Sequence, residues 1–506
     1  MKRLRGLLVV ALLLASCSSS PRSISTSSIT TTTSSTSTTT TSSTTTTTLP
    51  PVVGAAGIGD PLFPGLGNGG YEVDHYDLDL AIDPAAGTMK GTATIAATAQ
   101  ESLSGFSLDL VGLEVDEVKV DGEPATSQHE GRELAIRPPR VLEAGDVFEV
   151  TVDYHGQPQV GTAAVPFGGG WRREGDMVYV IDEPDGAASW FPANDHPRDP
   201  ATYTITLTVP PGYDTVTSGL AVSGLDDPDQ PDKWNIPEET ATYLVAMAVG
   251  DFHHEELAPA GPVSLSLWYP PDLDQNLLEP FHHQAEMIDF LSGRFGAFPF
   301  DRYGALIIDD PTLGAALETQ TLSTFGSPIL PLGEQLVAHE MAHQWFGDSV
   351  RLQNWSDVWL NEGFATFAQW LWLEHRGGQV AYNGAVANAY HLMSGESLAE
   401  GSQGPALAQM RFPPPVKPRP NDLFNRSVYL RGGLALVALR DEVGDDTMWR
   451  ILTRWHHQQA GSTATTGDFS DLVTELAGSS AERTLDAQLS SPLPPPMPAR
   501  DLAPPG

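Results

Sequence analysis

Residues 339–367 read HEMAHQWFGDSVRLQNWSDVWLNEGFATF. In this stretch His339 and His343 are four residues apart, and Glu340 directly follows the first histidine. A further glutamate, Glu362, comes nineteen residues after His343. Residues four apart on an α-helix share one face, so both imidazoles can reach the same metal ion. The spacing therefore predicts a helix that binds a metal.

Two helices are predicted around this pair. The segment LGEQLVAHEMAHQWFG is typical of a helix that ends at Gly347, and VWLNEGFATFAQWLWLEH is typical of a second helix with Glu362 near its start. A helix, a loop and a helix can bring Glu362 opposite the histidines. Two histidines, one carboxylate and an open fourth position make a catalytic zinc site.

Glu340 has a different expected role. It lies about 100° around the helix from His339, too far from the shared face to be a good ligand. It can instead take a proton from water at the metal and pass it to a leaving amine, as a general base. The alternative is that both histidines are structural, because H-E-x-x-H also arises by chance. Glu362 at this distance favours the zinc interpretation.

Composition narrows the class of protein. The 506 residues are enough for two or three domains. Acidic residues outnumber basic ones 64 to 27, and the formal net charge of −37 disfavours a nucleic-acid partner. The chain has a single cysteine, so neither an internal disulfide nor a cysteine-rich metal site is expected.

The N-terminus has the features of an export signal. A basic start precedes the apolar run GLLVVALLLAS and then Cys17, which predicts a signal peptide over residues 1–17. The tetrapeptide LASC resembles the bacterial lipobox, which implies that Cys17 is lipidated and that the protein is exported and anchored to the membrane at the cell surface. The alternative is an incidental cysteine in a discarded peptide. Residues 18–65 are predicted to be a Ser/Thr-rich tether, and residues 487–506 a Pro-rich, irregular tail.

The periodicity of apolar residues changes along the chain. Segments such as YEVDHYDLDLAI, VFEVTVDY and TYTITLTV alternate apolar and polar residues, which predicts an antiparallel β-sandwich domain over residues 66–258. The following NLLEPFHHQAEMIDFLSGRFG has helical spacing, and several more helices follow in a mainly α-helical domain over residues 259–486. The segment HEELAPAGPVS, at 254–264, is interpreted as a short linker.

Taken together, HEMAHQWFGD, WLNEGFA and the gap between them resemble the gluzincin aminopeptidases, the family of alanyl aminopeptidases and the leukotriene-epoxide hydrolase. The resemblance extends to TYLVAMAVGDF and RFGAFPFDRYGALIIDD and covers residues from about 70 to 485. It implies a β-saddle domain followed by a thermolysin-like catalytic domain. It also implies one zinc ion per chain and peptide substrates.

Substrate-binding residues are implied by two further segments. AALET, at 315–319, resembles the family's Gly-x-Met-Glu-Asn segment, which places Glu318 on the substrate's α-amino group and Ala315 and Ala316 beside the peptide. The family's glycine, methionine and asparagine are replaced here, so the side-chain preference stays open. In VIDEPDG the family's Gln-x-Glu pattern implies a second amine-binding carboxylate at Glu183, with Ile181 in place of glutamine. Outside the family, both glutamates would be unremarkable.

Tyr429 lies in SVYLRGG, which resembles the family's Tyr-x-Lys-Gly segment and implies that its phenol stabilises the oxyanion.

The family's long helical cap domain has no counterpart in the sequence, so a more open cleft is expected. The leading hypothesis is a surface-anchored zinc aminopeptidase. A zinc epoxide hydrolase and a non-catalytic peptide-binding lipoprotein are the alternatives, although the second requires neither Glu340 nor Tyr429.

Overall fold

A computed structural model describes residues 50–159, 169–225, 230–395 and 412–503. Among these residues no helix is long and apolar enough to cross a membrane. Cys17, the signal peptide and the tether up to residue 49 lie outside the described residues. The strands in chain order are β1 (Val52–Val53), β2 (Tyr71–Asp83), β3 (Thr88–Ala99), β4 (Leu103–Asp109), β5 (Glu114–Val120), β6 (Glu123–Pro124), β7 (Thr126–Glu130), β8 (Glu133–Arg137), β9 (Val147–Gly156), β10 (Gly170–Glu174), β11 (Met177–Ile181), β12 (Ala201–Thr208), β13 (Asp214–Thr217), β14 (Leu220–Ser223), β15 (Asp232–Thr240), β16 (Met247–Gly250), β17 (His253–Ala260), β18 (Val263–Tyr269), β19 (Arg302–Ile308), β20 (Ala316–Leu317), β21 (Leu322–Gly326), β22 (Val350–Leu352) and β23 (Ser462–Ala464).

The first domain is built from three sheets. An eight-stranded sheet has the order β14-β15-β12-β2-β3-β9-β5-β6, and two four-stranded sheets have the orders β1-β4-β8-β7 and β10-β11-β16-β13. The alternating residues of β2 are buried on one face, as the sequence predicts, because period-2 alternation places every second side chain on the core side. Most pairs are antiparallel, but β2 and β12 run parallel, as do β1 and β4. The N-terminal β domain of the predicted fold is therefore confirmed.

Among the described residues, the second domain combines a five-stranded mixed sheet and a two-stranded parallel sheet of β22 and β23 with seven α-helices. The mixed sheet has the order β17-β18-β19-β21-β20, which leaves the short β20 at an edge. The helices are α1 (Gln284–Phe295), α2 (Glu334–His343), α3 (Trp359–Ser394, with non-helical backbone at Gly378), α4 (Arg426–Val443), α5 (Asp445–Gln459), α6 (Thr466–Ala477) and α7 (Ser479–Ser490). Their apolar faces form one continuous core with the sheet. The predicted mainly helical second domain is confirmed.

The segment interpreted as a linker is part of this second sheet. Residues 254–264 belong to the hairpin of β17 and β18, which turns at Gly261, where φ is +57°. In the sequence, Pro259 and Gly261 suggested a break between domains. In the structure they lie at a tight turn, so the prediction of a linker was wrong. The last strand of the first domain ends at Gly250, so the change of domain comes earlier than the predicted boundary after residue 258.

Both predicted irregular ends contain ordered contacts within the described residues. Residues 52 and 53 pair with β4, although they belong to the predicted tether. At the other end, Arg500 donates to both carboxylate oxygens of Asp441, each at 2.7 Å. Hydrogen bonds to backbone and carboxylate groups hold these segments, and such bonds leave little trace in the pattern of apolar residues.

The segment before β2 is joined to both domains by Asp60, whose side chain is buried. Its Oδ1 accepts from the backbone N–H groups of Leu62 and Phe63 at 2.7 and 2.8 Å. Its Oδ2 accepts from the backbone N–H of Trp355 at 2.8 Å and lies 3.1 Å from Nε2 of His196. Burial raises the pKa of Asp60, but the bonds to His196 and to the backbone outweigh it, so the net pKa is lowered.

We expect Asp60→Ala to lower the free energy of unfolding by about 2–3 kcal/mol near neutral pH, because it leaves buried donors without an acceptor. Since the folded-state pKa is lowered, this stability is present above the ordinary value of 3.8 and is lost as the pH falls through the folded-state pKa. Urea unfolding of wild type and variant across this range measures it, with Asp272→Ala, at an exposed position, as control. A difference that persists unchanged at the acid end would contradict the account.

Candidate metal centre and substrate cleft

Helix α2 carries the histidine pair into the interior of the second domain. His339, Glu340 and His343 are all buried on its last turn and a half. The helix ends at His343, one turn before the predicted end at Gly347, because the chain then turns back to form β22. The backbone N–H of Asp348 donates to the carbonyl oxygen of His343 at 3.0 Å and so closes the helix.

Helix α3 brings the third candidate ligand to this pair. Oε2 of Glu362 lies 3.2 Å from Nε2 of His339 and 3.4 Å from Nε2 of His343. One ligand atom from each of the three residues lies within 4.8 Å of the other two. The Nδ1 of His343 is 3.2 Å from the carbonyl oxygen of Phe346, which selects the tautomer that leaves Nε2 free to bind a metal. The structure thus brings together the three predicted ligands.

This donor set fits zinc. Two imidazole nitrogens and one carboxylate are the protein ligands of a catalytic zinc site, which keeps a further position open. The charges around His343 also favour a cation at this position. Burial lowers the pKa of His343, but the carboxylates of Glu318 and Glu362 together raise it to about 10. A divalent cation would satisfy the same carboxylates without requiring a protonated imidazole.

Glu340 faces the same cavity from the side of α2. It forms a second close group with Glu318 and His343, and its pKa is raised well above the ordinary value, mainly by burial. A raised pKa makes the ionised carboxylate a stronger proton acceptor, as a general base requires. The role of Glu340 as a general base, separate from the metal ligands, stays a prediction.

Tyr429 enters the site from the first turn of α4. Its ring stacks on that of His339, with centroids 5.4 Å apart and planes inclined by 11°. Burial raises the pKa of the phenol, so it stays protonated and can donate a hydrogen bond. Two glycines permit this approach, because a Cβ on Gly363 would lie only 2.8 Å from Cα of Gly432. The backbones of α3 and α4 touch there, next to Glu362 and three residues after Tyr429.

Glu318 follows the edge strand β20 at the wall of the cavity. Its side chain is buried, and Oε1 has no hydrogen-bond partner among the described residues. Nε2 of Gln344 donates to its carbonyl oxygen at 3.1 Å, which ties the strand to the turn after α2. Ala315 and Ala316, the two other predicted substrate contacts, line the same cavity. The unpaired edge of β20 could take an extended peptide as an additional strand.

Glu183 reaches this cavity from the first domain, on the loop after β11. Its Oε1 is buried and has no hydrogen-bond partner among the described residues. Burial raises its pKa well above the ordinary value, and the neighbouring charge of Glu318 raises it further. Two carboxylates that line one cavity, each with a buried oxygen that lacks a partner among the described residues, would be stabilised by a positively charged group bound near both.

The cavity has a volume of about 310 Å³. All seven predicted metal-binding, catalytic and amine-binding side chains line it. The rest of its surface is largely apolar and is formed by Ile181, Leu317, Ile329, Leu332, Leu336, Trp370, Phe424 and Leu430. Such a lining suits an apolar side chain next to a charged amine.

Sequence reasoning missed several side chains that shape this site. Gln344 holds the strand with Glu318 and also accepts from the backbone N–H of Thr321 at 2.8 Å. Asp348 is fully buried near Glu318 and His343, and burial raises its pKa. Both follow the motif within five residues, so the extended HEMAHQWFGD segment could have drawn attention to them. Phe424 also lines the cavity, but no motif in the sequence around it indicates this.

Comparisons with known proteins agree with this geometry. The Peptidase family M1 domain matches residues 279–488, and the Peptidase M1 N-terminal domain matches residues 72–244. An M1 zinc metallopeptidase from Deinococcus radiodurans, solved as a mutant bound to a Tyr-Ser-Ala substrate, is 31% identical. Its structure superposes with a TM-score of 0.79 over 87% of this chain and 99% of that one.

Two aminopeptidases are more distant in sequence. Aminopeptidase N from Haemonchus contortus is 26% identical over 320 residues, which make up 59% of this chain and 32% of that protein. Aminopeptidase N from Streptomyces lividans is 24% identical over 440 residues, which make up 80% of this chain and 48% of that protein. The chain thus spans about a third to a half of the length of these two curated relatives.

Two histidines on one helix and a glutamate on the next form a donor set that fits the metal site of a zinc metallopeptidase of this fold. The chain belongs to the peptidase M1 family. The predicted family, the two-domain fold and the zinc cofactor are confirmed. The roles of individual side chains stay predictions.

We expect the purified protein to contain one zinc ion per chain and Glu362→Gln to lose most of it, because the carboxylate bond is weakened. Glu340→Gln should keep the zinc while peptidase activity falls roughly 10²–10⁴-fold, since it removes only the general base. Metal content by mass spectrometry and activity are measured on the same samples. A Glu340→Gln protein emptied of zinc would show that ligand and base are not separate.

Proposed function

We propose that the protein is a zinc-dependent aminopeptidase that removes N-terminal residues from peptides. The observation that carries this proposal is the pair formed by Glu183 and Glu318, which line the cavity of the predicted metal ligands and whose buried Oε1 atoms have no partner in the described part of the chain. Carboxylates in this position would bind a substrate's α-ammonium group and make cleavage depend on a free N-terminus. They favour a charged amine over an epoxide, which carries no positive charge.

The reaction would use three parts of the site. His339, His343 and Glu362 would hold zinc, which would supply a Lewis acid for the attacking water and the scissile carbonyl. Glu340 takes the proton of the attacking water and delivers it to the leaving amine. The phenolic O–H of Tyr429 donates a hydrogen bond to the oxyanion that forms on the carbonyl oxygen. The edge of β20 holds the peptide backbone in line with these groups.

The cavity favours particular N-terminal residues. Its apolar wall suits large apolar side chains, whereas its four glutamates repel an acidic one. The Tyr-Ser-Ala substrate of the Deinococcus protein begins with an aromatic residue, which is compatible with a cavity of this kind.

Tyr429→Phe should lower kcat by roughly 10²–10³-fold, because it removes one donor to the oxyanion. KM and zinc content should change little, since the ring still stacks on His339. Tyr269→Phe, which removes a hydroxyl outside the cavity, is the matched control. Steady-state kinetics measure both, and equal kcat values for Tyr429→Phe and wild type would rule out this role.

The amine site predicts strong discrimination between a free peptide and its N-acetylated form. Glu318→Gln and Glu183→Gln should each reduce kcat/KM for the free peptide roughly ten- to a hundred-fold, because each removes a charge-assisted hydrogen bond. Acetylation should cost more than either substitution. Glu279→Gln, at an exposed position, serves as control. Equal cleavage of the free and acetylated peptides by wild type would identify an endopeptidase instead.

The N-terminal segment supports a second part of the proposal, export and membrane anchoring through Cys17. The basic start, the apolar run and LASC carry it. Cells grown with a fatty-acid analogue should label the wild-type protein and leave Cys17→Ala unlabelled, with the variant released from the membrane fraction. Membrane retention of unlabelled Cys17→Ala would count against a lipid anchor.

A further inference from the structure

Glu183 lies in a loop that is fixed on both sides. Before it, Oδ2 of Asp182 accepts from Nε1 of Trp190 at 2.9 Å, and the carbonyl oxygen of Asp182 accepts from the backbone N–H of Gly186 at 2.6 Å. After it, Asp185 is held by a side chain from another sheet. The position of the Glu183 carboxylate is therefore set by the backbone of this fixed loop.

The side chain that holds Asp185 is Arg132, in the turn between β7 and β8. Its Nη1 donates to Oδ2 of Asp185 at 2.8 Å, and Nη1 and Nη2 reach the carbonyl oxygen of Asp185 at 3.3 and 3.2 Å. Its Nε donates to Oδ1 of Asp109 at 2.8 Å, and Nη2 donates to Oδ2 of Asp195 at 2.9 Å. One guanidinium thus joins Asp109 to two carboxylates, Asp185 and Asp195, that lie more than seventy residues further along the chain.

The cluster is buried and continues beyond the arginine. Asp109 and Asp195 are fully buried, and Asp185 is 7% exposed. Oδ2 of Asp109 accepts from the backbone N–H of Asp195 at 2.9 Å, and Oδ1 of Asp195 accepts from the hydroxyl of Thr242 at 2.7 Å. Burial raises the pKa of Asp109 to about 6 and that of Asp195 to about 7, even with Arg132 beside them. Their ionised forms therefore depend on the guanidinium.

We propose that Arg132 is a positioning residue for amine recognition, which acts through Asp185 to hold Glu183 against the substrate's ammonium group. This inference rests on the proposed aminopeptidase function. A planar guanidinium bonds the three carboxylates through N–H groups in fixed directions, whereas a lysine ammonium is a compact charge on a flexible stem. Arg132→Lys keeps the charge of the cluster and loosens the bond to the loop.

A merely structural role would also explain a buried arginine, and a double-mutant cycle separates the two roles. If Arg132 acts through Glu183, Arg132→Lys should matter only while Glu183 is present. The four proteins are wild type, Arg132→Lys, Glu183→Gln and the double variant, each as the full zinc-containing chain. Arg140→Lys is the matched control, because Arg140 also bonds two aspartates, Asp121 and Asp146, but at an exposed position of the same domain.

We expect Arg132→Lys to raise KM for a free peptide roughly ten-fold, about the loss of one charge-assisted bond, with little change in kcat. Cleavage of the N-acetylated peptide and zinc content should stay as in wild type. In the Glu183→Gln background, Arg132→Lys should have no further effect on the ratio of free to acetylated cleavage. If Arg132→Lys fails to fold, Asp185→Ala replaces it in the cycle, because it breaks the same side-chain bond and leaves Arg132 paired with Asp109 and Asp195.

The outcomes are distinct. An unchanged ratio of free to acetylated cleavage in Arg132→Lys, or equal effects with and without Glu183, would overturn the positioning role and leave the aminopeptidase proposal standing. A wild-type enzyme that cleaves both peptides equally would overturn both. A lower ratio of free to acetylated cleavage in Arg132→Lys, together with a wild-type ratio in Arg140→Lys, supports the inference.

Discussion

The carboxylate of Glu362 lies within 3.4 Å of two imidazole nitrogens, and the rest of the site depends on this contact between α2 and α3. It fixes how far the two helices can separate. Next to it, Gly363 and Gly432 let α3 and α4 approach until their backbones touch, which brings Tyr429 over His339. A larger side chain at either glycine would force the helices apart and move the phenol away from the metal ligands.

Charge balance connects the metal site with the substrate site. Glu183, Glu318, Glu340 and Glu362 line one cavity with two histidines, and burial, together with the neighbouring carboxylates, raises the pKa of Glu183 and Glu340 well above the ordinary value. Zinc neutralises the part of this charge nearest the histidines. A substrate ammonium would neutralise the part at Glu183 and Glu318, so the free site would bind a peptide partly because binding completes its charge balance.

The sequence predicted those features that depend on local spacing. The histidine pair of the candidate metal site follows from a helical repeat of about four residues, and the β domain follows from the alternation in segments such as β2. Features that depend on long-range contacts gave no such signal. Asp109, Arg132, Asp185 and Asp195 form one buried cluster, yet nothing in their spacing joins them. The hairpin at Gly261 was misread for a local reason: its first strand, β17, is largely exposed and lacks the apolar alternation of strands such as β2.

The central claim is that one cavity holds zinc on His339, His343 and Glu362 and the substrate's amine on Glu183 and Glu318. A crystal structure of the Glu340→Gln variant with a tripeptide, with diffraction data collected at the zinc absorption edge, tests it most directly. The account predicts an anomalous peak between the two Nε2 atoms and Oε2 of Glu362, with the peptide N-terminus within hydrogen-bonding distance of both glutamates. A peptide that runs past these carboxylates, with its N-terminus elsewhere, would contradict it.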